Sequence, residues 1–241
     1  MEILDHLIAP ISEKPVEEVI VGVHSVLVKT ADNCGIASTI KYCSPHENVR
    51  NAGELEKLNL HQLAEYAYSK NLLEASIGMA AINCFHSTKI TNPNSLNAKH
   101  IILEQGGNKI VGIIGHFPFL EKQKEQYKSC YIFEKQPQEG DLTEADIPNY
   151  LPSVDVVAIT ATSITNHTFG EISKYLPAKS YNIMLGPTTP VSPILFEFDI
   201  DAVSGSFVDN FEQVKKYVIQ ATPTRYLQGI KYVTILKEDY L

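Results

Sequence analysis

From Lys109 onward the chain repeats one pattern: a short apolar run stops abruptly at glycine, proline, hydroxyl or acid residues, and a helical stretch follows. The runs fall at Lys109 to Ile114, Ser129 to Phe133, Asp155 to Thr160, Tyr181 to Leu185 and Asp201 to Val203. Helices or turns are expected between them, near Leu120 to Tyr127, Thr168 to Tyr175 and Asp209 to Gln220. Short apolar strands separated by helical segments imply a mainly parallel sheet with helices on both faces. The same constraint says where chemistry would sit, because an open parallel sheet binds ligands beyond the carboxyl ends of its strands.

The first hundred residues read differently. Glu18 to Lys29 is rich in Val and Ile, and Gly35 to Tyr42 alternates, with Ile36, Ile40 and Tyr42 on one side and Ala37, Thr39 and Lys41 on the other. These are expected to pair as antiparallel strands, with Asp32-Asn33 between them suited to a turn. From Asn59 the period changes, since Leu60, Leu63, Ala64 and Ala67 share one helical face behind an asparagine N-cap. A second helix, Leu73 to Phe85, carries Ala75, Gly78, Ala80 and Ala81, small enough to let another backbone approach closely. Strands followed by helices make an α+β unit. With the linker STKITNPNSLN as divider, the expected domains are residues 1–92, α+β, and residues 93–241, a Rossmann-like α/β unit.

Charge and motifs exclude several function classes. A formal net charge of -8 with scattered lysines opposes a nucleic-acid backbone or an anionic bilayer. The N-terminal stretch MEILDHLIAPISEKP has acids where an export signal carries basic residues, and no apolar run approaches the roughly 18 residues of a membrane span. A cytoplasmic location with no membrane partner is therefore expected. Cys34, Cys43, Cys84 and Cys130 form no CxxC pair and are expected as free thiols, and no histidine pair has ligand spacing, so a metal site is not legible. His24 is, like Cys34, a weaker candidate. Signatures of serine hydrolases, P-loop nucleotide triphosphatases and kinases are missing.

Four strand ends carry the candidate chemistry. After Ile114 comes Gly115-His116-Phe117-Pro118, where glycine permits a turn whose amides face an anion or nucleotide; a tight turn with Phe117 and Phe119 in the core explains it equally well. Glu134 ends the next strand 19 residues after Gly115. Rossmann sites hold a ribose diol with an acid at about that spacing, though a solvated edge residue would look the same. The third strand empties into Thr160, Thr162, Ser163, Thr165, Asn166, His167 and Thr168. Thr168 and Glu171 also read as a capping box, which leaves Asn166 the better ligand candidate. The fourth end, Gly186-Pro187-Thr188-Thr189-Pro190, is a rigid loop in which Thr189 doubles as a helix cap, and Gly205 and Ser206 follow a fifth strand. His116 and His167 stand out because each follows a sheet strand.

In order, NLLEASIGMAAINCF, VGIIGHFPF, the strand-end Glu134, LPSVDVVAITATSITNHTF and MLGPTTPVSPILFEFDIDAVSGSFVDN resemble the heavy-metal chelation family. That family joins an enolase-N-terminal-like domain to a Rossmann-like domain. The resemblance implies a cleft between the two, with Glu74, Gly78 and Asn83 contributed by the first and Gly115, His116, Phe117, Pro118, Glu134, Asn166, Thr168, Gly186, Pro187, Thr188, Gly205 and Ser206 by the second. It suggests condensation or hydrolysis of pterin-, flavin- or siderophore-like compounds, with Glu134 and Asn166 orienting the ligand and Glu74 or His116 transferring protons. Two other readings stay open: a non-catalytic module that binds or delivers a metal complex, and an S-adenosylmethionine-dependent methyltransferase-like enzyme, whose nucleotide-like ligand would be S-adenosylmethionine. The bound species would be a small molecule, a heavy-metal ion or its chelate, and a homodimer is the commonest assembly to expect.

Overall fold

The computed structural model describes residues 2–40, 47–87 and 96–240. Its N-terminal part is an antiparallel meander of β1 (Val16–Val21), β2 (Ser25–Thr30) and β3 (Cys34–Ser38). Helix α1 (Ile3–Ile8) precedes the meander, and α2 (Leu60–Ala64) and α3 (Leu72–His86) follow it. After α4 (Ala98–Gly106) comes a six-stranded sheet: β4 (Ile110–Ile114), β5 (Ser129–Phe133), β6 (Val156–Thr160), β7 (Tyr181–Leu185), β8 (Ala202–Val208) and β9 (Ile230–Leu236). Its spatial order is β5-β4-β6-β7-β8-β9, with the first five strands parallel and β9 antiparallel to β8. The chain is thus an α/β protein, a small antiparallel sheet with helices followed by a mixed, mostly parallel one.

Strand periodicity sorts the interior into layers. Val111, Ile113, Val156, Ala158 and Ile183 point to one face of the large sheet and pack with Ile101 and Ile102 of α4. Ile114, Val157, Ile159, Met184 and Val203 point to the other, into a core shared with α3 and the small sheet. On β2 the same alternation sends Val26 and Val28 into that shared core. Leu27 goes the opposite way, with Ile36, against Val214 and Val218 of helix α9 (Phe211–Ile219). A C-terminal helix therefore covers the outer face of the N-terminal sheet, and β2 is buried because both of its faces are covered.

Local signals in the sequence correspond to these elements. The Asn59 side chain caps α2 by accepting the Gln62 amide at 2.8 Å, and Gln62 returns the bond to the Asn59 amide at 3.0 Å. The Asp32-Asn33 turn closes with the Thr30 amide donating to the Asn33 carbonyl at 2.8 Å. Gly78 does let a backbone approach α3: a Cβ added there would lie 2.0 Å from the amide nitrogen of Ala67.

Other expectations need correction. Glu18 to Lys29 is a hairpin, not one strand, because the chain turns through Gly22, Val23 and His24 and pairs Val21 with Val26. The break in its Val and Ile run at Gly22, His24 and Ser25 is where it turns. Helix Leu120 to Tyr127 is the four-residue α5 (Pro118–Glu121) and a 3-10 turn at Lys124–Gln126, and Thr168 to Tyr175 is α8 (Phe169–Ser173). The expected cap at Thr189 belongs to Ser192, whose side chain accepts the Ile194 amide before a 3-10 segment opening at Pro193. Helices α1 and α4 and strand β9 have no counterpart in the expectations. Lys41, Tyr42, Cys43 and most of the STKITNPNSLN segment lie outside the described residues.

Candidate functional site

Sheets of order 2-1-3-4-5 reverse direction between their first and third strands, and the crevice opens there at the carboxyl ends. Here that point lies between β4 and β6, and a cleft of about 640 Å³ opens at it, within the range that holds a small organic ligand. Its floor is Gly115 and His116 after β4, its walls are Glu134, Lys135 and Gln136 after β5 and the hydroxyl-rich turn after β6, and Ser38, Thr39 and Ile40 at the end of β3 close one side.

Ile114 pairs with Phe133 in the parallel ladder, so residues 19 apart in sequence become neighbours at the sheet's edge. The Gly115 amide donates to the Phe133 carbonyl at 2.9 Å. That bond corrects the expectation of a ligand-facing amide at Gly115: the N–H extends the sheet. What glycine supplies is conformation and room, with φ of +95° and only 2.9 Å from an added Cβ to the Thr160 methyl carbon. Glu134 is half-buried, and its Oε1 accepts the Lys135 amide at 2.8 Å and the Gln136 amide at 3.4 Å. These bonds hold the carboxylate in place at the cleft wall.

The turn after β6 includes helix α7 (Thr162–Thr165). Thr160 Oγ1 and Thr162 Oγ1 lie 2.9 Å apart, and Ser163 Oγ donates to the Thr160 carbonyl at 2.7 Å. Asn166 Oδ1 accepts both the Thr168 amide at 3.2 Å and the Thr168 hydroxyl at 2.7 Å. Thr168 stands at the N-cap of α8, as its spacing to Glu171 suggests, but its side chain makes no cap bond; its hydroxyl fixes Asn166 in an Asx turn and leaves the Asn166 amide nitrogen as the group for the cleft.

A second set of expected residues stands elsewhere. Glu74, 3% exposed, lies away from the cleft: its Oε2 accepts from Arg50 Nε at 2.8 Å and its Oε1 from the Arg50 amide at 2.6 Å. Burial pushes its pKa up, but the Arg50 amide, the Ser69 hydroxyl and the Arg50 guanidinium outweigh burial and hold it below the ordinary carboxylate value. Asn83 Nδ2 donates to the carbonyls of Ile36 at 2.7 Å and Thr188 at 3.0 Å, while Thr188 Oγ1 accepts the Ser38 amide at 2.9 Å. Ser206 Oγ donates to the Pro187 carbonyl at 3.4 Å, and a Cβ on Gly205 would lie 2.6 Å from the Thr189 carbonyl oxygen. Gly186, with φ of +115°, passes its amide to the Ser204 carbonyl. Asn83, Thr188 and their neighbours therefore form a seam that sews the small sheet to the loop after β7, and none of Asn83, Gly186, Pro187, Thr188, Gly205 and Ser206 lines the cleft. Phe117 packs with Phe119 against the α4 layer, and the Pro118 side chain lies outside what is described. His167 bonds the Ser69 carbonyl through Nε2 at 2.9 Å.

Sequence reasoning missed Ser38, Thr39, Lys135, Glu144 and Asp141. The first four line the cleft, and Asp141 stands behind it, its Oδ2 3.5 Å from His116 Nδ1. No motif marks them. Among the described residues the cleft's charged lining is Glu134, Glu144 and Lys135, with neither Arg50 nor Arg225.

Among the described residues no three His, Cys, Asp or Glu side chains gather as metal ligands. Cys34 and Cys84 are buried, which pushes both thiols up and away from the thiolate form that binds metal, and burial pushes Cys130 up to about 11. These groups do not fit a bare heavy-metal ion. No helix among the described residues is long and apolar enough to cross a membrane.

Residues 97–237 match a family model described as "Putative heavy-metal chelation", and residues 4–85 match a second model with the same description. A crystal structure of a protein of unknown function from Desulfitobacterium hafniense is similar at a TM-score of 0.86 and 27% identity, covering 98% of both chains. Another, from Pyrococcus horikoshii, reaches 0.83 at 21% identity over 98% of this chain and 100% of that one, a likeness of fold. An uncharacterised protein of Methanocaldococcus jannaschii is 26% identical over 206 residues, 81% of this chain and 78% of the relative.

Proposed function

This chain belongs to the heavy-metal chelation family, and from that premise we propose that its cleft binds and chemically processes a small heterocyclic compound, a metal chelator or its precursor, instead of gripping a bare ion with side chains. One observation carries this reading. A cleft of ligand size, lined by hydroxyls, Glu134, His116 and Asn166, lies at the switch point of the large sheet, while the described residues gather no metal-ligand cluster. Glu134 and Asn166 orient the ligand, and His116 exchanges protons with it. Glu74, held by Arg50 outside the cleft, has no place in this assignment. We read the large sheet as Rossmann-like in the broad sense of a parallel sheet with a switch point, here between β4 and β6, and the meander with α2 and α3 as enolase-N-terminal-like, with the division near residue 92.

A thermal-shift panel of metal salts, pterins, flavins and their metal complexes tests the proposal. A ligand at 100 times its Kd adds about 2.7 kcal/mol of stability. An organic compound is expected to raise Tm, and Asn166→Ala and Glu134→Gln to abolish the rise. Equal stabilisation by a metal salt alone, or a rise that both variants retain, overturns the proposal. Mass spectrometry of the recovered ligand separates processing from mere delivery.

Glu134 beside Gly115 favours a second reading, a nucleoside-type ligand such as S-adenosylmethionine, because a carboxylate at the end of the neighbouring strand suits a ribose diol. The absence of arginine from the cleft lining disfavours a polyphosphate tail. Adding S-adenosylmethionine and adenosine to the panel decides it: no rise with either removes this reading.

A further inference from the structure

The loop after β5 brings a carboxylate to the cleft that no local motif announces. It leaves the sheet at Glu134 and comes back: the Leu142 amide donates to the Ile132 carbonyl at 2.7 Å, and the Glu134 amide to the Leu142 carbonyl at 3.0 Å. This return fixes the residue just before Leu142, which is Asp141. The Asp141 amide donates to the Gln138 carbonyl at 3.0 Å, and the Gln138 amide donates back to Asp141 Oδ2 at 3.0 Å. Gly140, with φ of +88°, makes the tight approach possible.

The carboxylate so held has a side chain only 3% exposed, and its Oδ2 lies 3.5 Å from Nδ1 of His116, which lines the cleft. An ionised carboxylate offers only acceptors, and a neutral imidazole carries its proton on one nitrogen or the other. At 3.5 Å the carboxylate makes no formed hydrogen bond to the buried Nδ1, but its charge beside that nitrogen favours the tautomer with the proton there, which leaves Nε2 as the basic nitrogen. The pair has the arrangement of a proton-transferring group oriented by a third residue, built on loops that the sheet itself anchors.

We propose that Asp141 is a positioning residue of the cleft: it holds His116 in the Nδ1–H tautomer, so that proton exchange with a bound ligand runs through Nε2. The proton that His116 takes from an acidic O–H or N–H of the ligand is returned to the ligand or to water, and Asp141 takes no proton in the exchange. This rests on the reading of the cleft as a ligand site, but its test does not require the ligand.

The experiment is ¹⁵N NMR of the imidazole nitrogens in the full chain without ligand, at alkaline pH, with His116→Gln assigning the signals. The expected result is a pyrrole-type Nδ1 and a pyridine-type Nε2 in the wild type. Asp141→Ala should shift the population to the Nε2–H form that free imidazole ordinarily prefers, with the amide spectrum otherwise dispersed as before. Asp141→Leu, which keeps the volume of the site, serves if the alanine variant fails to fold. A wild-type His116 already in the Nε2–H form, or a ratio unchanged in the folded variant, overturns the proposal. Either result leaves the binding panel unaffected, so a failed dyad and a failed ligand site are told apart.

Discussion

At the scale of single residues, the decisive distinction is between polar groups committed to the protein and polar groups left for a guest. Glu74 belongs to the first kind. Its carboxylate is buried under a half-exposed Arg50 whose guanidinium also lies 4.4 Å from the centre of the Tyr66 ring, so the charge is neutralised on the spot. Hydrogen bonds to a charged group contribute about 1.5–3 kcal/mol, and Glu74→Gln is expected to lower unfolding stability by about that much at neutral pH while leaving ligand affinity intact. The sign of its pH dependence follows from the depressed pKa. The folded carboxyl lies below the ordinary value of 4.5, so its contribution is complete above that pH and is lost as pH falls through the folded value. Chemical denaturation of wild type and variant across pH 3 to 7 should therefore show two curves that converge in acid; a constant gap would contradict the ion pair as its source.

At the scale of elements, α3 shows how a helix without a polar face is placed. It is buried nearly all round, against the small sheet on one side and the turn that follows α2 on another, and only small residues allow the second contact. Gly78→Ala would drive a methyl into the backbone of Ala67, where no side chain can swing away. A loss of about 3 kcal/mol is expected, read as a lower urea midpoint at constant slope; a neutral substitution would show that the turn after α2 yields easily. This contact was legible in the run of small residues, and so were the five parallel strands, because burial on both faces forces continuous apolar composition. Strand β9 was not: it is a sheet edge with Lys231 and Tyr232 exposed, and an edge strand has no such requirement. The candidate site was half legible for a related reason. Gly115, Glu134 and Asn166 follow strands and do meet at the cleft, but Thr188 also follows a strand and binds the small sheet instead, and Ser206, expected after a strand, lies inside β8 and bonds the Pro187 carbonyl. Hydroxyls and glycines at a strand end serve a ligand and a close backbone contact equally well, and the sequence pattern alone does not separate the two.

At the scale of the whole molecule, the two sheets share one core although two family models divide the chain between them. The largest core draws on β2, α3, β6, β7 and β8 together, and the seam from Asn83 to Thr188 satisfies backbone groups of both parts at once. Most telling is α9, which starts nearly a hundred residues after the middle of the chain and covers the outer face of a sheet formed by the first forty residues. Without it Leu27, Ile36 and Cys34 would face water, so the small sheet cannot be at its most stable until the C-terminal part is in place. Val214 is fully buried in that contact, and Val214→Ala removes two methyl groups at a cost of about 2 kcal/mol. In two units that merely touch, that cost would fall on one of them. In a single cooperative unit, hydrogen exchange with the variant should show amides of β2 and of β7 losing protection by the same amount, although β7 is in a different sheet. Loss confined to β2 and β3 would mean that the small sheet opens separately, and the cleft, whose side wall is the end of β3, would open with it.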